Sequence, residues 1–323
     1  MNWLINPFRI ITNKFGWYNL NSSNKYRFVK EMYEETRAMI QLQPLVDQVL
    51  LERSEYTTIK CEQQICSISN DKPKLFQYWH QGINEIPDIV RNCYNSVDYF
   101  LSDYFEIIRI EHSTLSDYIE LPTHILKARD EERMTIAHFS DIIRNKLLLD
   151  YGGLWLDSTV LITGNEDVLE FTSLDNRLMF SRFVFSNPKE HAVQFESWIM
   201  WAKTPNNPIY YLAAEVSRLY WEKNLIVTNY FQYHIIITCI FLKLDNLKEL
   251  FSWYDRFYVG NSLDLGRYLI GKGYNMKDLT RILEKTDIHK LDFRKNEISP
   301  DLFGGRFGMG TFLDEILESK KIE

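Results

Sequence analysis

Ser140-Asp141-Ile142-Ile143-Arg144 runs, through residues 145–150, into Tyr151-Gly152-Gly153-Leu154-Trp155-Leu156-Asp157-Ser158-Thr159. The first part falls in a long helix predicted over residues 131–150. Gly152 and Gly153 end it, because glycine accepts the left-handed turn that commonly follows a helix and lets backbone come close to a ligand. Leu154-Trp155-Leu156 then reads as a short buried strand with Asp157 at its carboxyl end. In open α/β sheets that edge is where ligands bind. Asp141 and Arg144 are three apart and share a helix face. A carboxylate accepts hydrogen bonds and a guanidinium donates them in a planar fork, so the two together suit sugar or ribose hydroxyls. By itself the spacing describes only an exposed intrahelical ion pair of little energetic worth. The Ser-Asp-x-x-Arg order followed by Tyr-Gly-Gly-Leu-Trp-Leu-Asp is far more specific than either half.

Working outward, Asn70-Asp71-Lys72-Pro73 is a turn signal and Leu75-Phe76-Gln77-Tyr78-Trp79 a buried strand. Residues 87–101 suit a helix with Pro87 in its first turn, and residues 104–110 a second strand. Strand, helix, strand in that order predicts a crossover and a parallel sheet. Residues 25–55 carry Phe28, Met32, Met39, Leu42, Val46, Val49 and Leu50 at helical spacing, with Pro44 expected to bend or split that helix. Beyond Asp157 the expectations are a strand over 178–185, helices over 190–201 and 209–221, and a buried helix or strand over 235–242. The glycine-containing tail from Pro300 reads as a loop ending in a short helix over 311–319. The fold class expected is α/β, with a helical segment over residues 1–70 and a catalytic domain over 71–323 that carries helical elaboration in its C-terminal half.

A chain of 323 residues can bury one large core or two modest ones. Its formal net charge of −7 argues against a nucleic-acid partner, which selects a basic surface. Aromatic residues make up 15% of the chain, and most are expected to fill the core rather than to stack on sugars. No apolar run is long enough to cross a bilayer, and the N-terminus lacks a secretory signal core and cleavage site. Cys61, Cys66, Cys93 and Cys239 make neither a disulfide framework nor a zinc pattern. A cytoplasmic protein is therefore expected. Arg9 and Lys14 among Trp3, Phe8, Phe15 and Trp17 suit either a segment on a membrane interface or a helix packed on the body. No G-x-G-x-x-G follows the first strand, which disfavours a NAD enzyme, and no glycine-rich phosphate loop supports a nucleotidyltransferase.

The block from Ser140 to Thr159, with Phe76-Gln77-Tyr78-Trp79-His80-Gln81-Gly82, resembles bacterial capsular polysaccharide synthesis glycosyltransferases. These are relatives of the glycosyltransferase family 32 enzymes and, more distantly, of the clostridial glucosylating toxins. Weaker echoes are Ser197-Trp198 with residues 203–208, and Ile288-His289-Lys290-Leu291, so the resemblance spans roughly residues 73–312. It implies the GT-A fold, a Rossmann-like α/β domain. It places Gln77 and Trp79 near the nucleotide base and ribose, although Trp79 reads equally well as a core residue. Ser140, Asp141 and Arg144 would hold ribose and sugar hydroxyls, Gly153 would border the donor, and Lys290 would face the diphosphate. Asp141, Arg144 and Asp157 are the implied catalytic residues.

The resemblance implies that Asp157 is the first acid of the family's Asp-x-Asp motif, with Thr159 standing where the second acid is usual. A Mn²⁺ or Mg²⁺ ion prefers charged oxygen ligands to a neutral hydroxyl. Three accounts are open at this point. Asp157 and Thr159 hold the metal with water and diphosphate oxygens, His289 helps, or Arg or Lys neutralises the leaving group with no metal. For His289 a satisfied surface histidine is the plainer reading. Asp255, Asp264 and Asp292 are further carboxylates with nothing to choose among them. The implied reaction moves a hexosyl group, galactose or glucose favoured, from a UDP-sugar to a polyprenyl-diphosphate-linked oligosaccharide, with retention. It would run at the inner face of the cell membrane. The alternative is an inactive homologue that binds a sugar nucleotide without turnover.

Overall fold

The computed structural model describes residues 22–53, 72–173, 179–181, 196–227, 229–243, 260–270 and 276–292. Its centre is a five-stranded sheet in the order β2-β1-β3-β6-β5. Strands β1 (Lys74–Tyr78), β2 (Glu106–Ile110) and β3 (Gly153–Leu156) are parallel, with Phe76 level with both Ile108 and Trp155. Strands β6 (Glu196–Ala202) and β5 (Met179–Ser181) join antiparallel, so the sheet is mixed. The β1–β2 crossover is helix α2 (Asp88–Leu101), as the sequence predicts. A two-stranded antiparallel pair, β4 (Val160–Ile162) with β7 (Ile288–Lys290), stands beside this sheet.

Alternation along the strands sorts side chains onto two faces. Phe76, Tyr78, Trp155 and Met200 meet one helical layer, made of α1 (Ser22–Glu52), α4 (Ile136–Tyr151), α6 (Pro208–Glu222) and α7 (Gln232–Phe241). Leu75, Leu154, Leu156, Ile199 and Trp201 meet the other, with Val97 and Leu101 of α2 and Val168 and Phe171 of α5 (Glu166–Ser173). Ala38, Leu42, Leu45, Val46 and Val49 of α1 pack on α6 and α7, inside the same core as the sheet.

Several expectations need correction. Helix α1 continues through Pro44 rather than splitting. Pro44 and Ile40 are both exposed, so the Ile40 carbonyl that loses its partner is on the solvent side. The helix expected over 131–150 begins only at Ile136, as α4, and a separate helix not anticipated from the sequence, α3 (Thr123–Asp130), precedes it, with Glu132 between them in a left-handed conformation. Thr135 caps α4 by accepting from the His138 amide at 3.2 Å. The helix expected over 190–201 is instead strand β6 across its described part, Trp155 lying opposite Met200. Residues 198–202 are an unbroken apolar run buried on both faces, a pattern that fits a core strand and a core helix equally well. The 235–242 run resolves as helix α7, and α6 begins with Pro208 directly after the capping Asn207. Among the described residues no helix is long and apolar enough to cross a membrane. The basic-aromatic N-terminus, Cys61, Cys66 and the 311–319 helix lie outside the described residues.

Candidate functional site

At the carboxyl edge of β3 the chain turns through Asp157-Ser158-Thr159 into β4. Several hydrogen bonds hold this turn, four of them through Asp157, Ser158 and Val160. The Asp157 amide donates to the Trp198 carbonyl at 2.8 Å and the Val160 amide to the Asp157 carbonyl at 2.9 Å. The Ser158 hydroxyl donates to the Tyr78 carbonyl at 2.8 Å and accepts from the Tyr94 hydroxyl at 2.9 Å. Residue 158 therefore fastens the turn to the end of β1 and to α2, and the carboxylate beside it is held in place.

Helix α4 supplies the other half. Nη1 of Arg144 lies 3.2 Å from Oδ1 of Asp141 and donates to the Ser197 carbonyl at 2.8 Å. Nη2 of Arg144 lies 3.3 Å from Oδ1 of Asp157 and 3.3 Å from the Ser140 hydroxyl. The guanidinium also sits 5.1 Å over the Trp155 ring, whose indole N–H donates to Asp157 Oδ1 at 2.9 Å. The pair expected on spacing to be a solvated surface contact is thus buried, and Arg144 joins two carboxylates into one row. From the far side Lys290 of β7 donates to the Thr159 hydroxyl, and its Nζ lies 3.6 Å from Oδ2 of Asp157. The Asp157 side chain is 25% exposed against 7% for Arg144, so Asp157 and Lys290 are the groups a ligand reaches first.

The two carboxylates are pushed apart in acidity. Burial, reinforced by Asp157 and opposed by Arg144, raises Asp141 to about 7. Burial acts on Asp157 in the same direction, but Arg144, Lys290 and the Trp155 indole outweigh it and hold that carboxyl below its usual range. Near neutrality the row thus offers a firm anion at Asp157 and a readily protonated acid at Asp141, able to accept and to donate respectively.

Not every expected residue comes to this place. Gln77 is fully buried on the opposite sheet face, its Oε1 accepting from Arg109 Nε at 3.3 Å beneath α2. Trp79 is half-buried against the cluster of Val90, Leu161 and Leu265, which supports its reading as a packing residue. Gly153 lies at the amino end of β3, about 13 Å of strand from Asp157. Its φ of +93° and the Lys74 carbonyl, which a Cβ would meet at 2.3 Å, show a glycine needed for β1–β3 contact rather than for a donor. His289 is buried on the other side of β7 from Lys290, with Nε2 3.1 Å from the Thr163 hydroxyl, so it does not join Asp157 and Thr159. Asp264 pairs with Lys285 at 3.0 Å, and Asp255 lies outside the described residues. Among the described residues no three His, Cys, Asp or Glu side chains converge where a metal ion would be held.

The structure adds residues that sequence reasoning missed. Burial, with Asp157 reinforcing and Lys290 opposing, raises Glu196 at the start of β6 to about 8. His234 of α7 is lowered to about 3, chiefly by burial and then by Arg144, so it stays neutral. Ser197, named only as a weak echo, proves to hold Arg144. Glu196 and Ser197 reach the site only because residues 198–202 pair antiparallel to the Asp157 strand, which the uniformly apolar run does not announce.

The acid–guanidinium–acid row lies at the carboxyl edge of the sheet, where open α/β sheets bind ligands, and Lys290 reaches it from the β4–β7 pair. This chain belongs to the capsular polysaccharide synthesis protein family, whose pattern matches residues 25–303. Among solved structures, PaToxG glycosyltransferase is similar over 87% of this chain and 98% of its own, at 11% identity and a TM-score of 0.37, too distant to bear on the site. No curated protein matches the chain.

Proposed function

We propose that the protein is a glycosyltransferase of GT-A type that moves a hexosyl group, galactose or glucose, from a UDP-sugar to a polyprenyl-diphosphate-linked oligosaccharide, with retention, in capsular or other surface polysaccharide synthesis. The observation that carries this reading is Arg144 fixed between Asp141 and Asp157 at the carboxyl edge of the parallel strands. Such a row grips vicinal hydroxyls through alternating donors and acceptors, and Lys290 beside it offers a positive point charge to phosphate. Family membership supports the setting. The acceptor class and a location on the inner face of the cell membrane belong to the proposal.

The protein's main task in this reaction is to stabilise charge on the departing diphosphate as an oxocarbenium-like sugar forms. The test is UDP release from a panel of UDP-sugars by the purified protein, beside UDP binding by calorimetry. Release from one hexose donor, lost in Asp157→Ala and Asp141→Ala, is the expected outcome. Failure to bind UDP or any UDP-sugar would sink the reading, and binding without turnover on a lipid-linked acceptor would favour a donor-binding homologue.

A further inference from the structure

The charge of the row is as informative as its shape. Asp141 and Asp157 contribute at most two negative charges, and Arg144 and Lys290 two positive ones. A site balanced in this way is a poor host for a divalent cation, which seeks an excess of carboxylate oxygens, and a good host for an anionic diphosphate. The expected cation ligands are also already committed. Thr159 accepts from the Lys290 ammonium, Asp157 is shared among Arg144, Trp155 and Lys290, and His289 faces away. A dication bound by Asp157 and Thr159 would sit against that ammonium, and like charges at such separations repel strongly in a partly buried site.

Nor is Lys290 a loose surface side chain. Strand β7 holds it level with Val160 of β4, and the Leu291 amide donates to the Thr159 carbonyl at 2.9 Å. Its own backbone carbonyl packs against Gly266 of helix α8 (Asp264–Ile270), where an added Cβ would come within 2.9 Å. The ammonium is thereby delivered to the neutral hydroxyl that stands in place of the second acid.

We propose that Lys290 does the work of the metal in this protein: its ammonium binds the donor diphosphate, and UDP is bound and released without a divalent cation. This rests on the UDP-sugar reading of the site. In the transfer, the bond between the sugar anomeric carbon and the β-phosphate oxygen breaks, and its electron pair stays on that oxygen. The acceptor hydroxyl oxygen bonds to the anomeric carbon, and its proton passes to the departing phosphate oxygen. Lys290 compensates the charge through a hydrogen bond that strengthens as the charge develops.

The test is calorimetric titration of UDP into the full chain, in EDTA and again with Mn²⁺. The expected result is the same affinity in both, within about twofold. In Lys290→Met, loss of a charge-assisted hydrogen bond should weaken UDP by roughly 10- to 100-fold. Lys285→Met removes the same charge from an exposed pair with Asp264 and should leave affinity unchanged. In Lys290→Ala with Thr159→Asp, UDP binding should become dependent on Mn²⁺, and the free protein should bind Mn²⁺ in electron paramagnetic resonance titrations. Binding by the wild type that is lost in EDTA and restored by Mn²⁺ would overturn the inference while leaving the UDP site standing, and it needs no variant to fold. Unchanged UDP affinity in a folded Lys290→Met would overturn it too. Absence of UDP binding in both conditions would instead sink the site reading itself.

Discussion

Replacing Arg144 by Met keeps much of the side chain's length and removes the charge that links the two carboxylates. The guanidinium is only 7% exposed and Asp141 12%, so Asp141 has little access to water for compensation, whereas Asp157 at 25% has more. Removing one partner of a buried ion pair costs about 3–5 kcal/mol. Two features of this site pull the figure toward the lower end. Asp157 keeps Lys290 and the Trp155 indole, and Asp141, already raised to about 7, can escape by taking up a proton. The Ser197 carbonyl also loses a donor. We therefore expect a loss of about 3 kcal/mol near pH 8.

The pH dependence follows from linkage. A carboxyl whose folded pKa is raised favours the folded state at low pH, and that advantage disappears as pH rises from the unfolded value toward the folded one. In the wild type the Asp141 window ends near 7. In Arg144→Met it extends higher, so the variant folds with a proton that the wild type has released by pH 8. The deficit relative to wild type should then be about 1.4 kcal/mol larger at pH 8 than at pH 6, one proton over about one pH unit. Urea unfolding of both proteins at the two pH values measures this. Adding Asp141→Asn to Arg144→Met should recover part of the loss, because one uncompensated charge is gone. A deficit below about 1 kcal/mol, or one identical at both pH values, would refute the view that Arg144 neutralises a buried pair.

Two further substitutions test the scaffold around the row. Ser158→Ala leaves the Tyr94 hydroxyl and the Tyr78 carbonyl without their shared partner. It should cost about 2 kcal/mol and weaken UDP several-fold as Asp157 loosens, and an unshifted thermal midpoint would contradict that. Gly153→Ala must accommodate both a φ of +93° and a Cβ at 2.3 Å from the Lys74 carbonyl, so β1 and β3 must separate. A destabilisation above about 3 kcal/mol, or insoluble protein, is expected, and a urea midpoint close to that of the wild type would show the glycine to be dispensable.

How much of this was written locally is visible in the row itself. Asp141 and Arg144 share a helix face by the period of the helix, and the glycines stop that helix wherever it packs. A strand four residues long must then present Asp157 at its carboxyl end. Each of these signals acts within a few residues, and each survives in the structure. Strand β6 was illegible for the opposite reason. Residues 198–202 are apolar at every position because both faces are covered, so no period distinguishes strand from helix, and only pairing with β3 decides. Glu196 and Ser197 inherit that ambiguity, since their place beside Asp157 and Arg144 exists only once β6 lies antiparallel to β3. His234 comes from α7, 90 positions after Arg144, through packing that no local pattern announces.

His289 and Lys290 show the sharpest case. The sequence offers both as neighbours of the site, one as a cation ligand and the other as a phosphate contact. A strand cannot present two successive side chains to the same side. Which one faces Asp157 depends on the register of β7 against β4, and a slip of one residue would exchange them. The register is fixed by Leu161 opposite His289 and by the Leu291 amide on the Thr159 carbonyl, contacts that span about 130 residues of chain. With histidine forward, the turn would gain a ligand for a metal; with lysine forward, it gains a positive charge of its own. Whether the turn faces a histidine or a lysine is therefore decided by strand pairing, and it is there that Thr159, a poor metal ligand but a good partner for an ammonium, becomes intelligible.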